Sequence, residues 1–162
     1  MARKKSSFDG KSYEGYRVSL RLVREGRDDY SAVKIEQPKD IYEFMNDLKH
    51  SDRERFYSVF LNARNEVINC EEVSTGSANS TLVHPREVFK SALLSSCTAI
   101  VLVHNHPSGN SSPSSDDITM TRRLYECGEL LGIDVLDSVI IGEDSYYSFR
   151  ETGLLDMYKG RK

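Results

Sequence analysis

"TAIVLVHNHPSGNSSPSSDDITM", Thr98 to Met120, contains a change of periodicity that decides the architecture. Its first six residues form a short, largely apolar run, the pattern of a strand covered on both faces. Pro107 ends the strand, because a proline cannot donate to a sheet ladder. After a Ser/Gly/Pro loop, "DDITMTRRLYECGELLG" takes up helical spacing. Met120, Leu124, Cys127 and Leu131 are expected on its buried stripe, with Gly132 as the C-terminal cap.

The same stretch gathers chemistry. His104 and His106 are two residues apart at a strand end, so both imidazoles face one side, and Asn105 between them faces the other. Ten residues separate His106 from Asp117, enough for the loop to double back and set the first turn of the next helix beside the histidines. Two neutral imidazoles and a carboxylate, with a fourth position left for water, make the ligand pattern of a catalytic zinc site. A plainer reading competes with this one. Ser114-x-x-Asp117 also matches a helix capping box, in which both side chains only satisfy backbone N–H groups. The letters "HNH" do not indicate an HNH nuclease, whose named residues are spread along a ββα element.

Outward from this centre, strands and helices are intermixed. "YRVSLRLV" (16–23) alternates like a half-buried strand, and "SAVKIE" (31–36) could pair with it. Pro38 opens an amphipathic helix carrying Ile41, Phe44, Met45 and Leu48. "RFYSVFLNARNEVINCEEVSTG" reads as a hairpin turning at "NARN", its first strand apolar on both faces. "HPREVFKSALL" is a helix with Pro85 at its start and Val88, Phe89, Ala92 and Leu93 on one face. "IDVLDSVIIG" and "YYSF" supply a last strand pair. The expected class is α/β or α+β: one mixed sheet flanked by helices. Residues 1–37 read as an extension, a basic and mobile tail plus the strand pair; 38–155 read as the domain, and 156–162 as a basic tail.

Composition narrows the function classes. With 162 residues, 38% apolar and 29% charged, the chain is an ordinary globular protein with room for one core. No apolar run reaches the ~18 residues of a membrane span, and no signal peptide is visible. Cys70, Cys97 and Cys127 form no C-x-x-C pair and read as reduced thiols, which points to the cytoplasm. A net charge of −3 argues against generic nucleic-acid binding, so the short basic ends read as solvated tails. The N-terminal strand pair could serve a homodimer interface.

At this point the motifs resemble a known family. His104-x-His106-Pro107, with Ser114 and Asp117 eight and eleven residues past His106, looks like the JAMM signature of the JAB/MPN metalloprotease superfamily. "HPREVFKSAL", "VHNHPSGN", "PSSDDITMTRRL", "GELLGIDVLDSVIIG" and "YYSFRE" occur in that order and resemble the RadC family of bacterial JAB-domain proteins. The resemblance implies a JAB/MPN fold of cytidine-deaminase-like layout. It further implies one Zn²⁺ per chain on His104, His106 and Asp117, with Ser114 donating a hydrogen bond to an oxyanion. It also implies a glutamate base where a helix gives way to the first core strand. Glu54 occupies that place; Glu71 and Glu72 are further candidates, and Glu87 reads as a helix first-turn residue. Two departures stand out. Nothing before Pro38 has the helix-hairpin-helix pattern common in the family, and Ser138 stands after "LD" where relatives usually carry histidine.

The chemistry expected of such a site is hydrolysis. Zinc lowers the pKa of bound water to about 7 and polarises a carbonyl, and a carboxylate can carry the proton to the leaving amine. The substrate implied is a peptide or an isopeptide-linked protein. The alternatives are a DNA repair or recombination accessory, as the family name suggests, and a binding domain without catalysis. The two histidines, Ser114 and Asp117 at these spacings argue against the last.

Overall fold

The computed structural model describes residues 33–76 and 83–159, with 6–8, 11–13, 19 and 21. A five-stranded sheet lies between two helical layers, so the expected class holds. The elements are β1 (Ser6–Phe8), β2 (Lys11–Tyr13), α1 (Pro38–Phe44), a 3-10 turn (Asn46–His50), β3 (Glu54–Leu61), β4 (Val67–Gly76), α2 (Pro85–Ser95), β5 (Ala99–Asn105), α3 (Ser115–Leu131), β6 (Asp134–Ile141), β7 (Tyr146–Ser148) and α4 (Asp156–Lys159). The sheet order is β4-β3-β5-β6-β7, with β5 and β6 parallel and every other pair antiparallel. A parallel pair needs a crossover, and α3 provides it, leaving at the C-terminal end of β5 and returning at the start of β6.

The central position of β5 explains its apolar run, since all seven of its residues are buried. Ile100 and Leu102 face the layer that contains Val88, Phe89 and Leu124. Ala99, Val101 and Val103 face the layer that contains Ile41, Met45 and Leu48. Each large apolar side chain buried this way contributes about 1.5–3 kcal/mol relative to exposure. The "NARN" turn closes with Asn65 at φ 59, while the Asn62 carboxamide oxygen accepts the Arg64 and Glu66 N–H groups.

Several expectations need correcting. Leu93 is 56% exposed because it lies on the outer face of α2 with Arg86 and Lys90, and Leu131 is 43% exposed as the last residue of α3. The buried face of α3 is Asp117, Thr121, Leu124, Tyr125 and Gly128, while Met120 and Cys127 flank it half-buried. Gly128 is required there: a Cβ would stand 2.5 Å from the Ile133 carbonyl oxygen, so the helix sits tight on the connection to β6. Gly132 caps α3 at φ 69. Within the stretch read as a tail, Ser6–Phe8 and Lys11–Tyr13 pair antiparallel as β1 and β2. The strand expected over 16–23 lies outside the described residues except for Ser19 and Arg21, which have no regular structure. Residues 33–35 pair with the start of β4, through Ile35 N–H to Asn65 O and Val67 N–H to Val33 O. The C-terminal segment is no plain tail: in α4 the Tyr158 ring packs 5.8 Å from that of Tyr125.

Beneath the far end of the sheet, Asp137 is 4% exposed and ties the 148–152 turn to β6. It accepts bonds from Ser138 N–H, Arg150 N–H and the Ser148 hydroxyl at 2.7, 2.9 and 2.6 Å. Burial outweighs these bonds and pushes its carboxyl up to about 6. None of Cys70, Cys97 and Cys127 is in a disulfide. Among the described residues no helix is long and apolar enough to cross a membrane.

Candidate metal centre

The alternation of β5 places His104 on the α2/α3 side of the sheet, fully buried, with its ring stacked on Phe56 at 5.9 Å. His106 lies just past the strand, half-buried, and its N–H still bonds the Ile141 carbonyl of β6. The loop then folds back. Gly109, at φ 78, donates its N–H to the His106 carbonyl, and the Asn110 carbonyl comes within 2.7 Å of His106 Nδ1. A carbonyl can only accept, so Nδ1 carries a proton, and in the neutral ring Nε2 keeps its lone pair for a cation. The loop is held from outside by the β6–β7 turn, where Glu143 N–H bonds Gly109 O. Contact there is so close that a Cβ on Gly142 would be 2.4 Å from that oxygen.

Ser114 ends the loop and caps α3, which brings Asp117 under both rings. Asp117 Oδ1 is 3.1 Å from His104 Nε2, and Oδ2 is 3.4 Å from His106 Nε2. Neighbouring ligands held ~2.0–2.1 Å from one tetrahedral ion are about 3.3 Å apart, so these separations suit a shared cation. The three side chains offer ligand atoms that all lie within 4.8 Å of one another.

His104 supplies the test of fit. Both its ring nitrogens are buried with no hydrogen-bond partner, even though Nε2 is so near Asp117. Leaving such a group unpaired costs ~1–3 kcal/mol. A cation between Nε2 and the carboxylate would remove that cost at Nε2, and the set of two imidazoles and one carboxylate suits zinc. The electrostatics favour the anion: burial opposes ionisation of Asp117, but His104, His106 and the Ser114 hydroxyl outweigh it and hold the carboxyl well below the usual range. The bond with Asp117 raises His106 against the effect of burial. The Asn110 carbonyl and the charges of Asp117 and Glu54 add to the rise.

The capping box and the three-residue cluster turn out to be one arrangement. Asp117 Oδ2 accepts the Ser114 N–H at 2.7 Å and its hydroxyl at 2.6 Å, while Asp117 N–H bonds back to Ser114 Oγ at 3.2 Å. Glu54 is the first residue of β3 and half-buried. Since Phe56 pairs with His104, strand alternation puts Glu54 on the histidine face, level with His106. Glu71 pairs with Ser58 on that same face, further from the loop, and its Oε2 is buried without a partner. Glu72 pairs with Tyr57 on the opposite face, where it accepts the Tyr57 hydroxyl at 2.6 Å and meets Arg55 at 3.5 Å. It cannot reach the histidines from there. Glu87 is held by Lys90 and Arg86 at the start of α2.

Three contacts escaped the sequence reading: the Asn110 carbonyl on His106, the Phe56 ring on His104, and a hydroxyl pair under the site. In that pair Thr121 Oγ1 donates to Ser138 Oγ at 3.2 Å, both fully buried, one helical turn below Asp117. Ser138 thus fills its place with a small hydroxyl. Thr121 was detectable only as position i+4 from Asp117.

Comparison with known proteins gives one family. The RadC-like JAB domain matches residues 35–154. The UPF0758 protein of Methanosarcina mazei is 47% identical over 123 residues, which is 75% of this chain and 54% of that protein. The UPF0758 protein of Desulfitobacterium hafniense is 50% identical over 122 residues, with the same two shares. The chain spans about half the length of the curated relatives it matches.

Proposed function

The chain belongs to the RadC-like JAB domain family, and from that premise we propose that it is a zinc-dependent hydrolase of amide bonds, a peptidase or isopeptidase acting on a protein substrate. The observation that carries the reading is His104: a fully buried imidazole whose Nε2 has no hydrogen-bond partner, 3.1 Å from a carboxylate held ionised.

In this reading His104, His106 and Asp117 hold the zinc, which when bound supplies a water of lowered pKa and a Lewis acid. Glu54 takes a proton from the attacking water and returns it to the leaving amine. Ser114, an exposed residue, offers its hydroxyl to the negative charge developing on the carbonyl oxygen. Capping and catalysis need not compete for that hydroxyl. If it turns to the substrate, the Ser114 N–H still holds Asp117 Oδ2 through its own 2.7 Å bond.

The test is zinc per chain on untagged protein, with a screen of peptide and isopeptide-linked substrates read by mass spectrometry. The wild type and Glu54→Gln are expected to carry one zinc each, and His104→Ala/His106→Ala none. The wild type should cleave, Glu54→Gln about 10²–10⁴-fold more slowly, the usual contribution of a general base, and His104→Ala/His106→Ala not at all. No zinc uptake even on adding it back would end the metal reading. A Glu54→Gln protein as fast as wild type would move the base to Glu71.

A further inference from the structure

Between the two histidines stands Asn105, 1% exposed and facing the other way. Its neighbours on that face, Val101, Val103, Val139 and Ile141, are apolar. An amide buried there is costly unless its hydrogen bonds are made. They are made to two particular peptide groups: Oδ1 accepts the Arg55 N–H at 2.9 Å, and Nδ2 donates to the Arg53 carbonyl at 3.0 Å. Those groups flank Glu54. Main-chain pairing between β3 and β5 stops at Phe56 and His104, and the carboxamide extends the connection where the backbones part.

The chemistry of the clamp fits asparagine. One partner can only donate and the other can only accept, so the side chain must offer both functions and its orientation is fixed. Aspartate would set a carboxylate against the Arg53 carbonyl, and leucine would leave both peptide groups without their bonds. Because side chains alternate, the clamp grips Glu54 from behind while its carboxylate points to the histidine face.

We propose that Asn105 is a positioning residue: it locks the Glu54 backbone to the strand that carries the metal ligands and so fixes the carboxylate relative to them. This rests on the reading of Glu54 as the base. Asn105 touches neither metal nor substrate; it acts through Glu54.

The test uses NMR on the full chain, metal-free and with one equivalent of zinc, for wild type, Asn105→Ala and Asn105→Asp. Asn105→Asp keeps the acceptor for Arg55 and loses the donor to Arg53, and it serves if the alanine variant does not fold. In the metal-free protein, Asn105→Ala should speed exchange of the Arg55 amide by about tenfold, the worth of one hydrogen bond. Zinc should move the Glu54 carboxyl carbon resonance in wild type, with at least half of that response lost in Asn105→Ala. The zinc affinity should change by less than the ~10-fold that losing a ligand-orienting contact costs. Unchanged Arg55 exchange, or an undiminished Glu54 response with the Arg55 amide freed, overturns the proposal. Loss of zinc from the variant also overturns it, since Asn105 would then act on the ligands. A wild-type Glu54 resonance that ignores bound zinc overturns the reading of Glu54 and, with it, this role. Faster Arg55 exchange in the variant would then show that the clamp exists for another purpose.

Discussion

Asp117 has two tasks in this structure, and two substitutions can separate them. In Asp117→Asn the amide oxygen can keep the place of Oδ2, accepting from Ser114 N–H and hydroxyl. The amide nitrogen then takes the place of Oδ1, 3.1 Å from the unpartnered His104 Nε2, and can donate to it. Metal-free Asp117→Asn keeps these bonds but forgoes the anion that His104, His106 and Ser114 stabilise, so it should be less stable than wild type near neutral pH. Ser114→Ala removes the hydroxyl that serves Asp117 N–H and Oδ2, which should cost ~1 kcal/mol with or without metal. Zinc separates the two variants by how much each gains from it. At a free concentration ~100 times its dissociation constant, zinc should stabilise wild type and Ser114→Ala by about 2.7 kcal/mol each. Asp117→Asn lacks the anionic ligand and should gain less than about 0.5 kcal/mol on the same scale. The assay is urea unfolding followed by far-UV circular dichroism, in chelator and in buffered zinc. Zinc held by Cys and His in the unfolded chain is common to all three proteins and drops out of the comparison. An Asp117→Asn protein that gains as much from zinc as wild type would refute the ligand role and leave Asp117 as a cap alone.

Two further outcomes are expected. Asp137 is raised from an ordinary 3.8 to about 6, so the folded chain holds its proton more tightly than the unfolded chain. Its contribution to stability is full below pH ~4 and is lost as pH rises through ~6, ~3 kcal/mol at ~1.4 kcal/mol per tenfold change in proton affinity. Asp137→Asn should therefore gain on wild type by that order between pH 4 and 7 in parallel urea melts, and a gap independent of pH would show that the three hydrogen bonds outweigh burial. Gly142→Ala sets a Cβ 2.4 Å from Gly109 O and should cost ~1–3 kcal/mol. By moving the loop that brings Asn110 to His106, it should also weaken zinc binding ~10–100-fold in competition with a chelating indicator, and an unchanged affinity would mean that the turn does not set the loop.

The parts legible in the sequence are those encoded locally. The strand at 98–103, the facing of His104 and His106, and the cap at Ser114 each follow from a few consecutive residues, since strand and helix periods are short. The structure brings His104, His106 and Asp117 together from a single stretch of fourteen residues. What the sequence hid depends on partners far along the chain. Asn105 meets Arg53 and Arg55 about fifty positions away, and nothing near it marks the contact. Helix edges were misjudged for a related reason: periodicity gives the direction of the stripe, whereas its width and length depend on what lies beneath. Leu131 is exposed at the last position of α3, while Gly128 must press against the start of β6.

The choice between Glu71 and Glu72 shows most plainly why a hairpin cannot be read by counting. Leu61 pairs with Val67 at the turn, and regular pairing from there would set Glu71 opposite Tyr57 and Glu72 opposite Phe56, on the histidine face. A bulge between Phe60 and Leu61 adds one residue to β4 and reverses the parity. Glu71 then falls opposite Ser58, and Glu72 turns to the other face, where Tyr57 and Arg55 hold it. A slip of one residue exchanges the faces of every side chain beyond it. No residue in "VINCEEVSTG" marks the bulge: it has no internal glycine or proline, and Ile68 and Val73, the extra residues at the two register shifts, both find cover on the α2 side. The second shift, between Phe56 and Tyr57, restores the parity before Glu54 meets Gly76. The face of Glu54 is set in any case by β5, through the pairing of Phe56 with His104. Of the three glutamates weighed on this hairpin, Glu54 is the one whose orientation depends on the ligand strand itself and not on a count around the turn.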